Sequence, residues 1–283
     1  MARSKEVIAF VLLVTSAFLH ALWNAIVKKI EDKDAFLILC MTASYLMAGI
    51  TAWLLEDFTY GNSRGLFWSM LAGIFEGGYF LTLSLSLSKS SLGAAYAIMR
   101  GGAMLVVWLV SNLYLGEALN AIAMFGAVLV FVGIFLTQKN IFIGRAQGWY
   151  WPYLCALFIA AYHLCYDRAL HEGSKPFSSF AAAMIMALPF LWFQGRKNLI
   201  PRLKTVYVVN KWAIGFAAIA ATFSFGLFLW GLQYAGAGYA ITLRNTSILF
   251  AAVFSVYLGD LLNRKQIIGI IVIAAGALRL GAG

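Results

Sequence analysis

Ten apolar stretches run along this chain, each close to the ~20 residues a helix needs to cross a bilayer. They fall at roughly 6–28, 35–55, 65–88, 92–114, 119–137, 149–170, 177–195, 212–233, 237–258 and 264–281. The polar connections between them are short, and none could hold a soluble domain. Spanning strands would show about ten residues of alternating polarity, and no stretch does. The pattern predicts an all-α polytopic membrane protein with ten transmembrane helices.

The pattern is also written twice. A shift of 143 positions lays Gly93, Ala94, Tyr96, Ala97 and Ile98 on Gly236, Ala237, Tyr239, Ala240 and Ile241 without a gap. It also pairs Glu117 with Asp260, Asn120 with Asn263, Gly126 with Gly269, Gly133 with Gly276, and His20 with His163. Each copy, 1–140 and 141–283, carries five helices. An odd number makes the two copies face opposite ways in a membrane. Duplicated hydropathy of this kind marks secondary transporters, with the site at the interface between repeats. The expected architecture is one bundle of two inverted five-helix repeats.

Composition narrows the class. Hydrophobic residues make up 63% of the chain and charged residues 11%, against about 25% charged in a soluble domain. That excludes a water-soluble globule, because nothing polar remains to cover the core. The net charge of +10 sits mostly in the connections. No basic stripe is interleaved with aromatics, so nucleic acid is not an expected partner. Thirteen Lys and Arg residues lie in connections 1–2, 3–4, 5–6, 7–8 and 9–10, against six in the termini and the other connections. The excess places the first set in the cytoplasm and both termini outside. Glu56-Asp57 opens connection 2–3, while its repeat partner 7–8 carries Arg196, Lys197, Arg202, Lys204 and Lys211. The basic start, Met1 to Glu6, runs into a stretch too long for a signal peptide, which reads as a retained helix. Cys40, Cys155 and Cys165 show no metal or disulfide spacing and read as small buried hydrophobes.

Polar residues at membrane depth carry the candidate chemistry, because each costs at least ~2.5–3.5 kcal/mol there if charged. Helix 1 holds Ser16, His20, Asn24 and Lys28 at i+4 spacing. They form either a hydrogen-bonded helix–helix stripe or part of a cavity wall. Helix 6 holds His163 and Asp167, four apart, with Tyr162 and Tyr166 beside them. These two can share a proton, or Asp167 can pair with Arg168 at the surface. Two histidines without a Cys or carboxylate cluster do not make a metal site. Glu76, flanked by Gly73 and Gly77, is the acid nearest the middle of a span. It is either the counter-ion of an arginine or a protonatable coupling group. Arg100 and Arg244 lie about a turn past Tyr96 and Tyr239, and neither can shed its charge. Glu76 can serve only one of them, which either leaves an arginine free for an anionic substrate group or means that the arginines bond backbone carbonyls nearer the interface. Glu117 and Asp260 are expected to cap the starts of helices 5 and 10.

These residues resemble the EamA-type branch of the drug/metabolite transporter superfamily. His20-Ala-Leu-Trp-Asn-Ala-Ile-Val-Lys28 is similar to a helix 1 signature, His-Ala-x-Trp-Asn, of one bacterial subgroup. Tyr96 to Gly102 resembles its Tyr-x-x-x-Arg-Gly motif. Leu115-Gly-Glu-Ala-Leu119 and Leu258-Gly-Asp-Leu-Leu262 resemble the Leu-Gly-Glu-x-Leu boxes closing helices 4 and 9. Asp260 departs from the usual Glu, and Asn245 stands where an acid is expected, which removes a partner for Arg244. The resemblance implies a central cavity lined by helices 1, 3, 4, 6, 8 and 9, alternating access without ATP, and export from a bacterium across its inner membrane.

Together these readings predict a secondary active transporter, not an enzyme, for a small anionic or zwitterionic metabolite such as an amino acid or organic acid. The expected binding residues are Arg100, Arg244, Glu76, Tyr79, Tyr96, Tyr239, His20, Trp23, Asn24, His163 and Asn245. The coupling-proton candidates are Glu76, His20, His163 and Asp167. No cofactor or metal is implied, the partners are a small-molecule substrate and the lipid bilayer, and a functional monomer suffices. The alternatives are a carrier of cationic amines anchored by Glu76, a channel, or an intramembrane enzyme.

Overall fold

The computed structural model describes residues 2–114, 121–137, 148–234 and 243–280. Among them ten α-helices form and no strand does: α1 (Ala2–Lys29), α2 (Lys33–Glu56), α3 (Ser63–Lys89), α4 (Leu92–Tyr114), α5 (Ala121–Thr137), α6 (Trp151–His171), α7 (Pro176–Gly195), α8 (Leu199–Tyr234), α9 (Ser247–Tyr257) and α10 (Arg264–Leu280). Six of these contain spans long and apolar enough to cross a membrane. Most boundaries agree with the hydropathy pattern within a few residues.

Two differ. Connection 7–8 is not a loop, because α8 starts at Leu199 and bends at Asn210 (φ −122°, ψ 19°). The segment before the bend mixes Lys204 with exposed Ile200, Tyr207, Val208 and Val209. Its basic residues mask a helix from any search for apolar runs. Helix 9, expected at 237–258, is interrupted within its described part, residues 237–242 lying outside the described residues. The backbone around Asn245 and Thr246 is tightened into i to i+3 hydrogen bonds (Ile248 to Asn245, 3.0 Å; Leu249 to Thr246, 2.9 Å), and regular helix resumes at Ser247.

Local chemistry fixes the helix ends. Asp32 caps α2 by accepting from the Ala35 N–H at 3.1 Å. Asn62 caps α3 through Arg64 and Gly65. Pro176 occupies the first turn of α7, where its missing N–H costs nothing. Asn263 and Gln266 bond each other's backbone N–H at 2.8 and 3.1 Å, a capping box that starts α10. Asp260 therefore does not cap α10. Its carboxylate reaches across to the Leu92 N–H at 2.8 Å and the Ser255 hydroxyl at 2.7 Å, so it stabilises the start of α4 instead. Glu117 lies outside the described residues.

The packing sets where a site can form. α3 lies along α6 and α7, and α1 lies along α8 and α9. α4 rests on α6 and α9, and α5 runs beside α10. The close approaches use glycine, as small residues allow in a membrane. A Cβ on Gly73 would sit 2.0 Å from the Ala183 carbonyl oxygen of α7. On α5 and α10, Gly133 faces Gly269 and Gly276 faces Gly126, each with a hypothetical Cβ 2.8 Å from the facing carbonyl oxygen. The order of those contacts makes α5 and α10 antiparallel.

Candidate functional site

Helices α1, α3, α4, α6 and α8, with the turn before α9, converge on one buried polar region. α1 brings Ser16, His20, Trp23 and Asn24, all essentially without exposure. Part of that stripe is structural. Ser16 and Ser224 exchange hydroxyl-to-carbonyl hydrogen bonds at 2.7 and 3.1 Å, joining α1 to α8. Asn24 donates its amide to the His20 carbonyl at 2.8 Å. Lys28 donates to the Leu87 and Ser90 carbonyls at 2.9 and 2.7 Å, closing the end of α3. The Trp23 indole donates to His20 Nδ1 at 3.3 Å, which fixes the imidazole beside Tyr96.

Glu76 is fully buried, and the Tyr166 hydroxyl donates to its Oε2 at 2.7 Å. Its Oε1 has no hydrogen-bond partner. The carboxylate forms no direct ion pair with either buried arginine. Its direct partner is the tyrosine reaching over from α6. Of the two pairings open to Asp167, with His163 or with Arg168, neither forms. Asp167 turns outward to His171, 3.7 Å away at the exposed end of α6. His163 remains inside, against Tyr162 and Phe228, with Nε2 unpartnered. Asp167 is thus not part of the convergent region.

The two arginines share that region but not its support. Arg244 is 1% exposed. Its guanidinium carbon lies 3.9 Å from the Phe228 ring centre and 4.8 Å from that of Phe225, within cation–π range. Its Nη1 reaches the Ser16 hydroxyl at 3.4 Å, while Nε and Nη2 are unpartnered. Arg100 is 3% exposed, and its Nε and Nη1 are unpartnered. Both side chains line one pocket with His163 and Asn245, whose other wall is Ala103, Met104, Val107 and Ile159. The pocket has room for about one water. The Asn245 amide points at the Met104 sulfur.

Around the pocket stands an aromatic shell. Phe225 contacts His20, Tyr162 and Tyr166 at ring-centre distances of 5.8, 5.9 and 6.1 Å, and stacks on Phe180 at 4.9 Å. Tyr79 meets Tyr162 at 5.5 Å. Tyr96 is buried with its hydroxyl unpartnered. Tyr239 lies outside the described residues. Sequence reasoning missed Phe225 and Phe228. Their repeat equivalents are Thr82 and Leu85, so the duplication gave no flag. Among the described residues, no three His, Cys, Asp or Glu side chains gather as a metal site requires.

The site and fold define an all-helical bundle with an inward-facing basic pocket. Residues 147–281 match the model of the EamA-like transporter family. One solved crystal structure overlays with a TM-score of 0.59 at 16% identity. The match covers 98% of this chain and 96% of the other, and at that identity it speaks for the fold. A search of curated proteins gives no match. The apolar helices and the family match together point to a multi-pass membrane protein.

Proposed function

We propose that this chain is an EamA-type secondary transporter that moves a small anionic or zwitterionic metabolite, such as an amino acid or organic acid, by alternating access. The observation that carries the reading is the pair Arg100 and Arg244, buried in one pocket without a carboxylate partner among the described residues. Charges left unpaired inside a protein cost several kcal/mol each. Such a cost is sustained at functional sites, and ionisable groups at membrane depth mark substrate paths. The substrate's anion would supply the missing partner. Glu76, His20 and His163 are the groups available to carry a coupling proton.

The duplicated architecture supports alternating access. In the glycine contacts between α5 and α10, residue positions related by the 143-residue shift face one another reciprocally. A two-fold relation between units requires that kind of self-complementary contact. α3 on α6 and α8 on α1 are likewise equivalent pairs. Residues 1–140 and 141–283 would then be the two inverted repeats, rocking about a site they share. One chain supplies both halves, so a monomer is sufficient. A bacterial inner membrane with termini outside, and export as the direction, complete the reading.

The test is a thermal-stability screen of the purified protein against amino acids, organic acids, phosphorylated metabolites and amines, followed by counterflow in proteoliposomes. A ligand at 100 times its dissociation constant stabilises by about 2.7 kcal/mol. Acids or zwitterions should stabilise the wild type and not Arg100→Ala, and flux should show trans-acceleration, which a channel lacks. Stabilisation by cationic amines alone would overturn the reading and make Glu76, whose Oε1 is unpartnered, the anchor of a cation carrier.

A further inference from the structure

We infer that the pocket between α4, α6 and the turn before α9 recognises a ligand carrying two negative charges on one compact group or two adjacent ones. The inference rests on the transporter reading above and deepens it. A single carboxylate offers one charge and two oxygens. The pocket offers two guanidinium groups, neither of which can be neutralised by losing a proton. Among the described residues, no acid lines it; Glu76, which accepts from Tyr166, is not part of that lining. A monoanion would leave one net positive charge buried in an apolar surround, which is the costly arrangement. A dianion balances the pocket.

Donor count and shape agree with charge. Arg100 Nε and Nη1, and Arg244 Nε and Nη2, are all buried without partners. Arg244 thus presents the Nε/Nη2 fork that grips oxyanions two bonds at a time, and Arg100 adds two single donors on opposite edges of its guanidinium. His163 Nε2, also unpartnered, and the Asn245 amide add polar contacts on the same wall. The oxygens of a phosphate monoester, at about −1.5 to −2 charge near neutral pH, satisfy such a set. So do the two carboxylates of a short dicarboxylate. With room for about one water, the pocket admits such a group only as its lining side chains part, which disfavours a bulky head, and Ala103, Val107 and Ile159 leave any remainder of the ligand an apolar path.

Affinities of the full-length purified protein for inorganic phosphate, methyl phosphate, succinate, acetate and glycine, measured by titration calorimetry at pH 7.5 or so, test this. Either the phosphates or succinate should bind at least about tenfold tighter than acetate and glycine, the scale expected when one charge pair is added. Which of the two wins identifies the source of the double charge. In Arg100→Met that preference should collapse to within about threefold while weak monoanion binding persists. Should Arg100→Met not fold, the wild-type ratio alone decides. Acetate or glycine binding as tightly as the dianions would overturn this inference and leave the anion-carrier reading standing. Binding of none of these anions, with amines bound instead, would remove both.

Discussion

Where α1 gives way to α2, Arg202 meets Asp32 through two parallel hydrogen bonds of 2.7 and 2.6 Å, and its remaining donors close the end of α7 on the Gly195 and Lys197 carbonyls. Midway along the bundle, Arg100 and Arg244 meet no carboxylate among the described residues. The ends of the helices spend charge on structure: Lys28 on α3, Glu56 on the Phe177 and Ser178 amides of α7, Asp260 on α4. The centre holds charge in reserve. Within the centre the two arginines differ again. Arg244 is seated on Phe225 and Phe228 and tied to Ser16, whereas Arg100 has no such seat among the contacts of the described residues. One reads as a fixed wall of the site and the other as the group with most to gain from a ligand.

The largest effect expected from that difference is on transport. Arg100→Ala should reduce counterflow of the ligand found by the stability screen by at least about 30-fold, since truncating one partner of a buried charge pair costs 2–5 kcal/mol. Arg202→Ala, at the rim, should slow it by far less. Equal loss in both variants would erase the distinction between centre and end.

Stability in the absence of ligand should move the other way. Arg100→Met removes a buried, unpaired charge and keeps much of the side chain's bulk. Replacing buried ionic groups with apolar ones often stabilises, by about 1–4 kcal/mol. The melting temperature without ligand should rise. Arg244→Met should fall short of it by about 1–4 kcal/mol, because the two ring contacts, at roughly 0.5–2 kcal/mol each, go with the charge. A lower melting temperature for Arg100→Met would show that Arg100 is a structural group.

A double-mutant cycle isolates the seat itself. Phe228→Leu keeps an apolar side chain but withdraws the ring face 3.9 Å from Arg244. The coupling energy between Phe228→Leu and Arg244→Met should be about 0.5–2 kcal/mol by denaturation. The same cycle between Phe228→Leu and Arg100→Met should give a coupling near zero.

How much of this could be read without coordinates follows from the same contrast. Arg100, Arg244 and Glu76 stand out in sequence because charge inside an apolar run is costly, and all three are buried in the bundle. Their surroundings do not stand out. A phenylalanine in a membrane helix is ordinary, so nothing marked Phe225 and Phe228 as the seat. Tyr166 is 90 positions from Glu76, and no local spacing links them. Asp167 shows the limit of helical spacing, since His163 and His171 are both four residues away. Where the helix ends decides that Asp167 faces His171. The first turns of α8 are hidden by Arg202 and Lys204, because an apolar-run search reads basic residues as loop. Hydropathy exposes what pays a solvation penalty, and packing partners that pay none stay invisible to it.

The smallest expected effect is at the rim, and it serves as the control for the rest. Asp32→Asn removes the charge facing Arg202 while keeping a good N-cap for α2, since Asn and Asp cap about equally well. The variant therefore reports on the ion pair alone. A half-exposed pair of this kind is worth up to about 1 kcal/mol, so the loss near neutral pH should be no larger. Its pH dependence has a definite sign. The hydrogen bonds from Arg202 hold the Asp32 carboxyl below the usual carboxylate range, so folding favours its charged form. That contribution is present above the unfolded carboxyl's pKa, near 3.9, and is lost as pH falls through the lower folded value. The stability gap between wild type and Asp32→Asn should stay constant from about pH 5 to 8 and close below about pH 4. A gap that persisted at lower pH would mean that Asp32 acts through shape and not charge. The contrast between a paired rim and an unpaired centre would then lose its reference point.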